Sequence, residues 1–234
     1  MNTQEFFQNL DARIAKYDLL CHPFYRAWSA GTLTRDDLQE YGREYFHHVE
    51  AFPTYLAEFG LRLEEGELRR AVLANLCDEK GEDDSTGKPG RAHSELWLDF
   101  VEGMGASRAM YGHKPLDEVK GLIAHFSRVA REGSPEEALA AFYAYESQVP
   151  RIAEEKARGL LQKYGADEKT CEYFTLHTTA DVHHSRVWRQ QLEKRLGANP
   201  SAADSALSAA EDAARALWTA LDGIEKRRTA KATA

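Results

Sequence analysis

The sequence predicts an all-α, single-domain, multi-helix bundle, and three observations carry that prediction. Apolar residues recur at helical period along nearly the whole chain. Helix-start and helix-stop signals punctuate that pattern at short intervals. Nowhere does a run of alternating β-branched residues lie between hairpin-type turns. In chain order, a first helix is expected near residues 3–18. Thr34 with Asp37 forms a capping box that opens a long helix through Tyr41, Tyr45 and Tyr55 to about Arg62. Shorter helices are expected near 64–79, 94–103 and 115–132. Ser134, Pro135 and Glu137 supply an N-cap, a proline at the first helical position and an acid at the third. That helix is expected to run to about Tyr164, where Gly165 provides a left-handed stop. Asp167 caps the next helix, which reaches Leu196 before Gly197. Asn199 and Pro200 then start a last helix with Leu207, Leu217, Leu221 and Ile224 on its apolar stripe.

Two stretches lack an apolar pattern. GEDDSTGKPGR at residues 81–91 is a loop by composition, and the basic tail KRRTAKATA is expected to fray. The expected division is one domain over residues 1–197, a C-terminal helix over 198–227 packed on or extending it, and a disordered tail at 228–234. The 234 residues suffice for one substantial core, and no interior linker or repeat divides them. A formal net charge of −8 argues against a general nucleic-acid binder. No apolar run approaches the roughly 20 residues that span a bilayer. The opening MNTQEFFQNL does not read as a signal peptide. Cys21, Cys77 and Cys171 are too few and too scattered for a disulfide framework, so a reduced, cytoplasmic protein is expected.

The segment from Tyr173 to His184, YFTLHTTADVHH, carries the most chemistry. At about 100° per residue, His177, Asp181 and His184 fall within roughly 60° of one another, on one stripe over two turns. Tyr173 continues that stripe, whereas His183 points away from it. Burying three such groups unpaired would cost several kcal/mol, and a metal ion is one of few partners that satisfies them all. A single helix supplies only part of a coordination shell, so donors are needed on facing helices. Glu146 sits among Phe142, Tyr143, Tyr145 and Val149, company in which a carboxylate needs a partner unless it turns outward beside Arg151. Glu79 precedes the 81–91 loop and His93 follows it, so both ends of the loop can reach one site. Glu79, His93, Glu146, His177, Asp181 and His184 give three carboxylates and three imidazoles, a mixed set suited to iron or manganese. Two divalent cations against three carboxylates leave a residual positive charge, which favours a small anionic oxygen species. Glu44-x-x-His47 has a ferritin-like spacing but no second copy, and is read as an outer or surface pair.

Beyond this reading, HPFYRAWSAGTLT, LQEYGREYF, NLCDE with HSELW, AFYAYESQVPRIAEEK and YFTLHTTADVHHSRVW resemble one known family. It is the CADD-like branch of the haem-oxygenase-like di-metal oxidases, related in fold to the pyrroloquinoline-quinone synthesis protein and to TenA thiaminases. The resemblance spans roughly residues 5–196. It implies the same six metal ligands, two ions (Fe/Fe or Fe/Mn) and O₂ as co-substrate. It also implies synthesis of para-aminobenzoate for folate from a tyrosine of the protein itself. Tyr25 is then the consumed residue, Tyr41 a second tyrosine near the metals, and Lys156 the internal amino donor. Read without the resemblance, the two tyrosines are core aromatics and Lys156 a solvated lysine. On the helix expected from Pro135 to about Tyr164, Lys156 shares the face of Tyr145, three turns further along. In the family the first glutamate and its histidine lie about two helical turns apart. Here DDSTGKPG intervenes, which offers Asp78 or Glu82 as substitutes for Glu79 and suggests a mobile segment that orders on metal binding.

The expected partners are O₂ with an internal tyrosine or a small-molecule substrate, and a second copy in a homodimer. Neither nucleic acid nor membrane is expected. Three other readings compete: a conventional di-metal oxidase of an external small molecule, a non-enzymatic helical interaction protein, and a thiamin hydrolase. The last needs a nucleophilic cysteine, and Cys77 beside Asp78 and Glu79 is poorly placed to ionise.

Overall fold

The computed structural model describes residues 1–82 and 90–232. Among them are ten α-helices and no strand: α1 (Thr3–Ala15), α2 (Pro23–Ala30), α3 (Arg35–Arg62), α4 (Glu67–Lys80), α5 (His93–Gly103), α6 (Asp117–Glu132), α7 (Pro135–Glu146), α8 (Val149–Lys163), α9 (Glu168–Ala198) and α10 (Ala203–Ala232). Two 3₁₀ turns, Leu19–Cys21 and Pro200–Ala202, complete the order. No helix among the described residues is long and apolar enough to cross a membrane.

The caps read from sequence form as expected. Thr34 and Asp37 satisfy each other's backbone N–H groups at the start of α3, and Ser134 and Glu137 do so at α7. Asp167 accepts from the Thr170 N–H at the start of α9. Three elements differ from expectation. The helix expected from Ser134 to Tyr164 is two helices, broken at Ser147 and Gln148. Pro150 has no N–H to offer the Glu146 carbonyl, and its ring crowds that same carbonyl, so the first helix ends at Glu146. A short helix over Pro23–Ala30 was not expected. The His22 ring caps it by accepting from the Phe24 N–H, Pro23 sets its first turn and Gly31 ends it in the left-handed region. The tail does not fray at residue 228: α10 continues to Ala232, steadied by Arg228 on Glu225 and Lys231 on Glu40, and residues 233–234 lie outside the described chain.

α7 is buried all round from Ala138 to Glu146, the signature of a central helix. α10 and α9 pack on it, and α6 packs on α3 and α10. Ala206, Ala210, Ala213 and Ala214 of α10 are fully buried, as are Ala140, Ala141 and Ala144 of α7. Such small faces let the two backbones approach closely. Around this centre α3, α4, α5, α8 and α9 form the other half of the bundle, with α5 against α9 and α3 and α8 against α9. The aromatic core between them joins Trp28, Tyr41, Trp97, Phe100 and Phe174, all at most 1 % exposed. Gly81 ends α4 in the left-handed region, and a Cβ there would lie 2.6 Å from the Arg91 backbone. That close approach brings the C-terminus of α4 beside the N-terminus of α5. The expected loop over 81–91, and with it the expected mobile segment, falls mostly on residues 83–89, outside the described residues.

Candidate metal centre

Four helices deliver the six candidate donors to the bundle interior. Glu79 comes from the last turn of α4, His93 opens α5, Glu146 closes α7, and His177, Asp181 and His184 form one stripe of α9. None is more than 5 % exposed. They fall into two triads, Glu79–His93–His177 and Glu146–Asp181–His184, within each of which the donor atoms lie no more than 4.8 Å apart. His183 is exposed, as its angle on the helix predicts.

The hydrogen bonds of His177 and His184 leave one nitrogen of each ring facing inward. His177 Nδ1 donates to the Tyr173 carbonyl at 2.6 Å, which leaves Nε2 as the free acceptor. His184 Nε2 donates to Asp78 Oδ2 at 3.0 Å, while its Nδ1 lies 3.2 Å from Asp181 and 3.8 Å from Glu146. His93 Nδ1 lies 2.9 Å from Glu79 Oε2 yet is not aligned to hydrogen-bond with it. Glu79 and His93 thus both lie within reach of a common cation. Glu146 Oε1 accepts from Asn75 Nδ2 at 3.0 Å and its Oε2 from the Trp188 indole.

Electrostatics follow from burial. Desolvation pushes Glu146 up to about 8 despite nearby His184. Burial also acts to raise Glu79, but the His93 and His177 imidazoles outweigh it and hold the carboxyl below its ordinary value. Burial lowers His177. It acts to lower His184 too, but the bonds to Asp181 and Asp78 override it and push that ring up to about 11. Three carboxylates in so dry a space call for cations, and the oxygen and nitrogen donors fit two divalent ions.

A second cluster lies alongside. Tyr25 Oη of α2 and Tyr41 Oη of α3 are 3.0 Å apart, and Lys156 Nζ of α8 donates to Tyr25 at 2.9 Å and to Tyr41. Nζ is 4.3 Å from the centre of the Tyr25 ring. Lys156 is buried, not solvated, and no carboxylate among the described residues pairs with it. Burial holds its amine well below the ordinary lysine value. Burial likewise pushes both phenols up. Because the chain breaks before α8, Lys156 and Tyr145 do not share a helix face; they share a cavity instead. That cavity, about 30 Å³, is lined by Tyr25, Tyr45, Trp97, Tyr145, Lys156 and Tyr173. Tyr145 and Tyr173 also line a void of about 10 Å³ against Glu79, Glu146, His177 and Asp181. These two tyrosines are the wall between the triads and the lysine.

Several expectations need correction. Glu44 is not a surface group: it is fully buried, accepts from the Leu116 N–H at 2.7 Å and pairs with Arg227. His47 bonds His113 at 2.9 Å, and neither Glu44 nor His47 joins a triad. Glu146 does not turn toward Arg151, which pairs with Asp18. Asp78 does not substitute for Glu79 but braces His184, and Glu82 stands outside both triads. Asn75 and Trp188 were not anticipated. The available signal was their position one helical turn from Glu79 and from His184, on the same faces.

The model of a family described as iron-containing redox enzymes matches residues 39–218. The chain is 37% identical over 224 residues to the 4-aminobenzoate synthase of Chlamydia muridarum, covering 95% of this chain and 91% of that one. It is also 37% identical, over 238 residues, to the 4-aminobenzoate synthase of Nitrosomonas europaea, covering 97% and 93%. Among solved structures, a domain of unknown function with a heme oxygenase-like fold from Shewanella denitrificans superposes with a TM-score of 0.76. Its sequence identity is 18%, with 98% of this chain and 94% of that one covered. The fold is therefore haem-oxygenase-like.

Proposed function

The chain belongs to the family of iron-containing redox enzymes, and from that premise we propose that it is a cytoplasmic 4-aminobenzoate synthase that consumes its own Tyr25. The observation that carries this reading is the contact of the Lys156 amine with the Tyr25 phenol at a small aromatic-lined cavity beside the two triads. At about 30 Å³ the cavity has room for a water or a diatomic gas. An aromatic ring is present at its wall: that of Tyr25. The nitrogen stands at the oxygen-bearing end of that ring, where a C–N bond has to form to give a para-amino product.

Glu79, His93 and His177 would hold one metal ion, and Glu146, Asp181 and His184 the other. The first triad has two imidazoles and one carboxylate, the second one imidazole and two carboxylates. The oxygen-rich triad suits the harder ion, so an iron–manganese pair fits as well as two irons. When bound, such ions supply the one-electron steps that couple tyrosine oxidation to reduction of O₂. The chain's own residues do the rest. Burial favours the unprotonated form of the Lys156 amine, the form whose lone pair can attack. Tyr41, bonded to both Lys156 and Tyr25, fixes the phenol and can relay its proton. Trp28 donates to the Lys156 carbonyl at 3.3 Å and packs under the amine, holding α8 in register. The aromatic walls exclude bulk water.

The test is to load the protein with iron and manganese without O₂, add reductant and then O₂, and analyse both product and protein. Lysine labelled with ¹⁵N at Nζ should appear as ¹⁵N in 4-aminobenzoate, at no more than one product per chain. The spent protein should have lost the Tyr25 side chain. Abundant product from protein with Tyr25 and Lys156 intact would overturn the reading in favour of an external substrate.

A further inference from the structure

α4 contributes one donor, Glu79, to the first triad, but its other inward-facing polar side chains serve the second. Asn75, one turn before Glu79, donates to Glu146 Oε1 at 3.0 Å. Asp78 accepts from His184 Nε2 at 3.0 Å. We propose that Asn75 and Asp78 are positioning residues for the Glu146–Asp181–His184 triad, so that α4 couples the filling of the two metal sites. The inference rests on the two-metal reading above and assigns roles to two residues outside the six donors.

The geometry carries it. Asn75 is 3% exposed, and an amide next to a carboxylate must present its NH₂ there, which forces its Oδ1 to the other side. That Oδ1 has no partner among the described residues, a cost accepted for the sake of the bond to Glu146. With Trp188 on the second oxygen, both Glu146 oxygens carry one neutral donor each. The carboxylate is thereby fixed in one rotamer while a lone pair on each oxygen stays free for a cation. Asp78 does the matching task for His184: it takes the Nε2–H and so turns Nδ1, the atom that a cation would take in place of its proton, toward Asp181 and Glu146. α4 has few fully buried side chains. Of its fourteen residues only Val72, Asn75 and Glu79 are buried, and its N-cap, Gly66, offers no side-chain bond. α4 packs mainly on α3, and the site contacts tie its C-terminal half to α7 and α9. An ion held by Glu79, His93 and His177 fixes α4, and with it the braces of the other triad.

The experiment is anaerobic titration of metal-free protein with Mn²⁺ alone, followed by calorimetry and electron paramagnetic resonance. Wild type should take up two ions per chain and give the spectrum of a magnetically coupled pair. Asn75→Leu and Asp78→Ala should keep the first equivalent and weaken the second about 10–100-fold, leaving the spectrum of an isolated ion. Asp78→Asn, which retains an oxygen for the Nε2–H, should restore most of the second equivalent. Helical content by circular dichroism should be unchanged in all three. Two wild-type equivalents and a coupled spectrum in Asn75→Leu and Asp78→Ala would overturn the coupling alone. So would equal weakening of both equivalents, which marks a general structural role. Wild type that binds no Mn²⁺ would instead overturn the two-metal reading, and the coupling with it.

Discussion

Replacing Lys156 by methionine tests the electrostatic state on which the chemistry depends. The amine is 5% exposed, and among the described residues its hydrogen-bond partners are two phenols. In the unfolded chain it titrates near 10.4, so stripping its proton at pH 7 costs at most about 4–5 kcal/mol. Methionine fills much the same volume without that cost. It forfeits two hydrogen bonds worth about 1 kcal/mol each, while the Tyr25–Tyr41 bond survives. The expected balance is a gain of about 2 kcal/mol at pH 7. Its pH dependence has a definite sign. The folded value lies below the unfolded one, so between them the unfolded chain binds the extra proton and wild-type stability rises with pH. The variant lacks that slope, so its advantage should shrink by up to about 1.4 kcal/mol per pH unit and vanish before pH 10.4. Urea unfolding of metal-free protein at pH 7, 8, 9 and 10 measures this. A constant difference between variant and wild type across the series would mean a charged amine in the fold, and the nucleophile argument would fail.

Two further outcomes follow from the packing and the donor set. Gly159→Ala would place a Cβ 2.9 Å from the Trp28 indole that bonds the Lys156 carbonyl, so thermal unfolding should show a loss of about 1–3 kcal/mol. Mn²⁺ at about a hundred times its dissociation constant should stabilise wild type by about 2.7 kcal/mol per site. In His177→Ala a thermal-shift titration should show less than half of the two-site gain, because the first ion no longer fixes the braces of the second triad; the full wild-type increment would remove His177 from the ligand set.

What the sequence made legible was what is local along the chain. His177, Asp181 and His184 share a stripe because helical geometry alone puts residues four and seven apart on one face, and no tertiary knowledge is needed. The same holds for the capping boxes at Thr34 and Ser134, each a reciprocal pair within four residues. The break after Glu146 was legible in principle. Pro150 stands four residues beyond it, and its effect on the Glu146 carbonyl is fixed by covalent structure. A period-based reading passes over such a break because the apolar spacing resumes in phase on its far side. The helix over Pro23–Ala30 escaped for the opposite reason: eight residues show too little periodicity, and its cap is a histidine.

The supporting residues were illegible for a deeper reason. Asn75 and Trp188 face Glu146 only because α4 and α9 both pack beside the end of α7, and nothing in the spacing of a single helix announces that meeting. Metal donors are few in type and strict in chemistry, so a sequence displays them. The groups that orient donors need only offer a hydrogen bond, which most polar residues and tryptophan can do. Lys156 shows the limit most clearly. By residue type it reads as a solvated cation, and only the convergence of α2, α3 and α8 turns it into a buried amine against two phenols. Its reactivity is therefore a property of the fold rather than of the residue. It follows that disturbing the packing of α8 on Trp28, even at Gly159, should return the amine toward its ordinary, protonated state.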